Sequence, residues 1–143
     1  MVLNVILAIL VLSIIVIVHE FGHFIIAKAN GITVVEFSIG FGPKLIHFRK
    51  GETEYCIKAL PFGGACTMLG DEFLEMSVIQ SEEDDDEELT DEEKEAKKRK
   101  LAIENGYDME KSFASKSVWA RIAVIAAGPV FNFILAFVCA VVI

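Results

Sequence analysis

The chain opens on an apolar run from Val2 to Val18 that only Asn4 and Ser13 interrupt. After a polar cluster at His19 to His23, the apolar character resumes through Phe24, Ile25, Ile26 and Ala27. A helix rising about 1.5 Å per residue over this length crosses a hydrocarbon core of about 30 Å. A secretory signal peptide would carry Lys or Arg before the apolar run and small residues at a cleavage site after it. Here no basic residue precedes the run, and a His/Glu cluster closes it. A second apolar segment runs from Val118 or Ile122 to Ile143, interrupted by Arg121 and by Gly128-Pro129. The internal Pro removes a backbone donor, which a membrane helix tolerates where a neighbour compensates, so this helix is expected inside a bundle with Asn132 as a polar contact.

Between the two spans the pattern changes to short extended pieces: Thr33 to Ile39, Leu45 to Arg49, Thr53 to Ile57 and Ala65 to Leu69. Gly40, Gly42-Pro43, Gly51, Pro61 and Gly63-Gly64 punctuate them, the signature of hairpins. Leu45 to Tyr55 reads as one hairpin with its turn near Lys50-Gly51. So apolar a sheet beside a membrane helix is expected to dip into the bilayer surface, its edges covered by protein or a water-filled cavity.

Composition agrees with a bilayer environment: 54% of the 143 residues are hydrophobic. Every Lys and Arg lies from Lys28 to Arg121, so the positive-inside rule places residues 28–121 in the cytoplasm and both termini outside. The formal net charge of -8 gives no basic surface for nucleic acid. Most of the acid sits from Glu82 to Glu95, followed at once by Lys97 to Lys100. Glu93/Lys97 and Glu95/Arg99 have the i, i+4 spacing of a solvated surface helix. Cys56, Cys66 and Cys139 form neither a close metal-binding pair nor an even disulfide framework, and no chemistry is assigned to them.

His19-Glu20-Phe21-Gly22-His23 is an H-E-x-x-H string within the helical pattern. Residues four apart share a helix face, so two imidazoles converge on one ion. Glu20, one position after the first ligand, stands beside the metal and can take a proton from water that zinc has made acidic. A His ending an apolar helix can equally be an interfacial packing residue. Three ionisable groups at the membrane end of a charge-free helix are costly unless used, which favours the functional reading. Gly22 lets another backbone approach. A catalytic zinc needs a third protein ligand. His47, in the hairpin, reads better as a surface residue, and Asp71 and Glu72 as the end of the loop.

With these residues in hand, the chain resembles the site-2 protease family of intramembrane zinc metalloproteases, in its bacterial branch. His19 to His23 looks like the end of that family's first transmembrane helix. Phe37-Ser38-Ile39-Gly40-Phe41-Gly42-Pro43-Lys44 looks like the segment that follows it. Pro61-Phe62-Gly63-Gly64 with Met68-Leu69-Gly70-Asp71-Glu72 resembles the membrane re-entrant β-loop beside the active site. Phe113, Arg121, Ala127-Gly128-Pro129 and Asn132-Phe133 resemble the second core helix. The resemblance implies His19 and His23 as zinc ligands, Glu20 as general base, and Gly63, Gly64 and Met68 as substrate contacts on a loop that adds the substrate as a strand. It implies transmembrane protein substrates and the lipid bilayer as partners, in a bacterial plasma membrane.

The family's third ligand, an Asp in a Leu-Asp-Gly motif on a later helix, and its PDZ-type domain have no counterpart in these residues. The chain is therefore expected to be an amino-terminal part that binds zinc weakly alone, with the third ligand coming from further carboxy-terminal sequence. Two other readings remain: a non-catalytic membrane module of the same family, and another membrane-anchored H-E-x-x-H metalloprotease. The expected architecture is a mainly α membrane protein. It comprises a first transmembrane helix with the zinc motif (1–28), a re-entrant β-loop (32–72), a charged cytoplasmic insertion (73–112) and a second transmembrane helix (113–143).

Overall fold

The computed structural model of the chain describes residues 1–70, 96, 100, 103–104 and 106–143. The acidic block at 82–95, most of the basic run after it, and Asp71 and Glu72 lie outside the described residues.

Helix α1 spans Val2–Ala29 and helix α2 spans Val118–Val142. Both are long and apolar enough to cross a membrane. Asn30 closes α1, its side-chain amide donating to Ile26 O at 2.8 Å. The Ser117 hydroxyl starts α2 by accepting from Ala120 N at 3.3 Å, a capping role that suits Ser. Residues 113–117, expected as helix, form the turn that leads into it. On α2, Phe133 and Phe137 are 77% and 71% exposed, a large apolar surface that the described residues leave uncovered.

Two strands, β1 (Val34–Lys50) and β2 (Thr53–Met68), fill the space between the helices. Each is bent, so the sheet has four lanes in the order 44–50, 53–58, 34–39, 64–68. Lys50 pairs with Thr53 and Lys44 with Lys58 across the first ladder, while Glu36 pairs with Thr67 and Ile39 with Gly64 across the last. Both ladders are antiparallel. Glu36 also pairs with Glu54 and Ile39 with Ile57, so across the middle ladder the numbering rises together, the parallel sense. The four lanes coincide closely with the four extended pieces read from the sequence. What differs is that Gly and Pro bend two long strands and do not end them. Gly40 shows why: its φ is +85°, and a Cβ there would run into Leu60 O. The hairpin turn falls at Gly51-Glu52, one residue beyond the expected position.

The core lies where the base of the loop meets both helices. Ala27, Ile32, Val34, Met68 and Val124 are buried together, with Phe24, Ile26, Cys66 and Phe113 packed against them. The Phe24 and Phe37 rings, with centroids 5.1 Å apart, join α1 to the sheet. Backbone bonds tie the loop's two ends to the segment entering α2: Thr33 N donates to Lys111 O (2.9 Å), Leu69 N to Thr33 O (2.9 Å) and Phe113 N to Leu69 O (2.7 Å). Farther out, the Ser13 hydroxyl shares its proton between Ile9 O (2.8 Å) and Pro61 O (2.9 Å). A polar break in the apolar run thus marks where the loop tip docks on α1.

Glu36 and Lys58 (2.8 Å), Glu36 and Lys44 (3.0 Å) and Glu54 and Lys44 (2.8 Å) link lanes 44–50, 53–58 and 34–39. Burial pushes the Glu36 carboxyl up, but hydrogen bonds and charge from Lys58 and Lys44 outweigh it and hold the group below the usual carboxylate range.

Candidate metal centre

Four residues apart on α1, His19 and His23 stand one turn above the other, with ring centroids 4.8 Å apart. Their Nε2 atoms converge. A Cβ added to Gly128 on α2 would lie 2.5 Å from the Nε2 of each ring. Both nitrogens therefore border one small cradle, walled closely by the α2 backbone and free of a side chain at residue 128. The helices can come this close because Gly22 faces Ala127, where a Cβ would sit 2.7 Å from the Ala127 carbonyl oxygen.

The outer nitrogens are held by α2 as well. His23 Nδ1 lies 2.7 Å from Val124 O. A carbonyl only accepts, so this ring carries its proton on Nδ1 and presents the Nε2 lone pair to the cradle. His19 Nδ1 lies 3.1 Å from Asn132 Nδ2, while Asn132 Oδ1 is buried without a partner.

Glu20 leaves the helix toward the sheet, where its Oε2 accepts the Cys66 N–H at 3.1 Å. Alternate residues of a strand aim their backbone groups to opposite sides. With the Cys66 N–H aimed at α1, those of Ala65 and Thr67 face lane 34–39, and the outer edge of lane 64–68 runs beside the catalytic candidate. Gly64 is on this edge, its Cβ position 3.9 Å from Glu20 Cγ. Gly63 packs against the Phe41 ring. The Met68 side chain is 7% exposed and belongs to the core, so only its backbone could meet a substrate.

Two imidazole nitrogens with a carboxylate one residue on match zinc's preference for nitrogen ligands. At Gly128 the α2 backbone lies close to both nitrogens with no side chain between them. Among the described residues no group of three His, Cys, Asp or Glu side chains surrounds such a point. His47 lies on the far lane, facing Glu54 at 3.3 Å. His19, Glu20 and His23, the candidates read from the sequence, lie together here, and Asn132, expected as a polar contact, meets His19. Ser13, Cys66 and Val124 are not among those candidates, because the groups used at the last two are backbone atoms that every residue carries.

The H-E-x-x-H string thus lies on one apolar helix, with a second apolar helix and a half-buried strand edge against it. The chain belongs to peptidase family M50, the site-2 protease family, which it matches over residues 7–143. It is 33% identical to the zinc metalloprotease RasP of Bacillus licheniformis, an alignment covering 94% of this chain and 44% of that protein. Identity is also 33% to the regulator of sigma-W protease RasP of Bacillus subtilis, with the same coverage. To the metalloprotease MmpA of Caulobacter vibrioides it is 37% identical over 88% of this chain and 29% of that one. The chain thus spans less than half the length of these relatives.

Proposed function

We propose that this chain carries the zinc-binding and substrate-holding half of an intramembrane endopeptidase that cuts peptide bonds in or near the transmembrane segments of other proteins. The observation that carries this reading is the pair of Nε2 atoms converging on the cradle at Gly128 while Glu20 is bonded to the outer edge of lane 64–68. His19 and His23 hold the zinc. The third ligand comes from sequence outside this chain, in keeping with relatives more than twice its length. When bound, zinc acidifies a water and polarises the scissile carbonyl. Glu20 accepts the water's proton and passes it to the leaving amine.

The substrate lies as an added strand along the outer edge of lane 64–68, at Gly63, Gly64 and the Met68 backbone, so its peptide bond is extended beside Glu20. The enzyme resides in a bacterial plasma membrane with residues 28–121 toward the cytoplasm, and its substrates include proteins whose cleavage releases a regulatory factor.

In the full-length protein, Glu20→Gln is expected to keep zinc, since Glu20 is no ligand, and to lose about 10²–10⁴-fold in cleavage of a transmembrane reporter. His19→Ala or His23→Ala loses metal and cleavage together. Cleavage by Glu20→Gln at the parent rate, or full zinc occupancy in His23→Ala, makes the chain a non-catalytic membrane module.

A further inference from the structure

The two histidines are secured in chemically different ways. Val124 O can only accept, so His23 is committed to the tautomer with a free Nε2. The partner of His19 is a carboxamide, which offers either a donor or an acceptor. With Nδ2 toward Nδ1 at 3.1 Å, Nδ1 must accept, and the ring proton then sits on Nε2 inside the cradle. That proton occupies the lone pair a metal requires. The same arrangement leaves Asn132 Oδ1 buried without a partner. A half-turn of the amide presents Oδ1 to an Nδ1–H instead and frees Nε2, at the cost of moving the unpaired end to Nδ2.

We propose that Asn132 is the positioning residue of the zinc site. Its side-chain oxygen accepts the Nδ1 proton of His19 in the metal-competent state, so ion binding and the orientation of this amide are coupled across 113 residues of chain. This rests on the reading of His19 and His23 as zinc ligands. Asn132 does not touch the ion or the substrate. It acts through the imidazole, as carbonyl and carboxylate groups behind metal-bound histidines do.

The test measures zinc affinity of the full-length protein in detergent by competition with a chelator of known strength. Asn132→Ala is expected to weaken zinc by about 10–100-fold, the usual cost of losing such a support. Asn132→Asp, which can only accept, recovers most of that loss. This rescue separates the acceptor role from packing, because an Asp that had merely lost the amide donor would do no better than Ala. Asn132→Leu keeps the volume without polar atoms and stands in for Ala if that variant does not fold. Parental affinity in Ala and Leu, or an Asp variant as weak as they are, overturns the proposal while leaving the zinc reading intact. A parent that takes up no zinc overturns both.

Discussion

Gly128→Ala adds one methyl group and places it in the cradle. The new carbon would lie 2.5 Å from His19 Nε2, 2.5 Å from His23 Nε2 and 2.6 Å from His19 Cε1. Non-bonded heavy atoms settle at about 3.5 Å, so the overlap is about 1 Å on each ring at once. A zinc ion would need to stand about 2.0–2.1 Å from each nitrogen, and a methyl pressed against both rings would push those nitrogens away from any such common point. The rings cannot swing clear cheaply: His23 Nδ1 is held at 2.7 Å by Val124 O and His19 Nδ1 at 3.1 Å by Asn132. Helix propensity works in the opposite direction, since Ala is favoured over Gly by about 0.8–1 kcal/mol inside a helix. The substitution should therefore spare helix content and strike the metal. We expect zinc affinity to fall at least about 100-fold, or about 2.8 kcal/mol. The assay is zinc retained after dialysis against graded chelator, with circular dichroism on the same samples. A Gly128→Ala protein that binds zinc as tightly as the parent refutes the cradle, because the ion would then lie elsewhere.

Two further outcomes follow from the loop. Cys66→Pro removes the N–H that Glu20 accepts, so cleavage should fall by about tenfold or more, with a smaller loss of stability than a break in the ladder to lane 34–39 causes. Thr67→Pro, one residue on, breaks the ladder to Glu36 and should lower stability as well, by about 1–3 kcal/mol. Equal melting temperatures for the two variants would show that the strand faces are assigned the wrong way round. The depressed Glu36 carboxyl contributes stability that is complete above the ordinary Glu value of about 4.3 and is lost as pH falls through its lower folded value. Protease resistance of the loop should therefore decline on acidification in the parent, and Glu36→Gln should be weaker at neutral pH with a flatter profile. A Gln variant with the parent's acid profile would assign that decline to other groups.

Much of this architecture is written locally. Length and apolarity alone make Val2–Ala29 and Val118–Val142 candidate spans, because bilayer thickness sets a helix length that needs no partner to be recognised. The spacing of His19 and His23 puts both rings on one face for the same reason, as helix geometry relates residues only four apart. Gly and Pro positions marked the four lanes of the sheet, since they report where the backbone must bend.

Lane order is different in kind. That 34–39 sits between 53–58 and 64–68 depends on long-range pairing, which no local pattern encodes. Tertiary structure also decided what surrounds the motif. Val124 O, Gly128 and Asn132 reach the histidines from over 100 residues away, and the Cys66 N–H reaches Glu20 from 46 residues away. Two of these contacts are made by backbone atoms, of which residue identity carries no trace; Gly128 and Asn132 are visible in the sequence, but what they meet is not. A string of five residues names the candidate ligands and the candidate base. The packing of α2 and a strand edge against α1 determines which nitrogen of His23 is free, what lies against both rings, and which way Glu20 points.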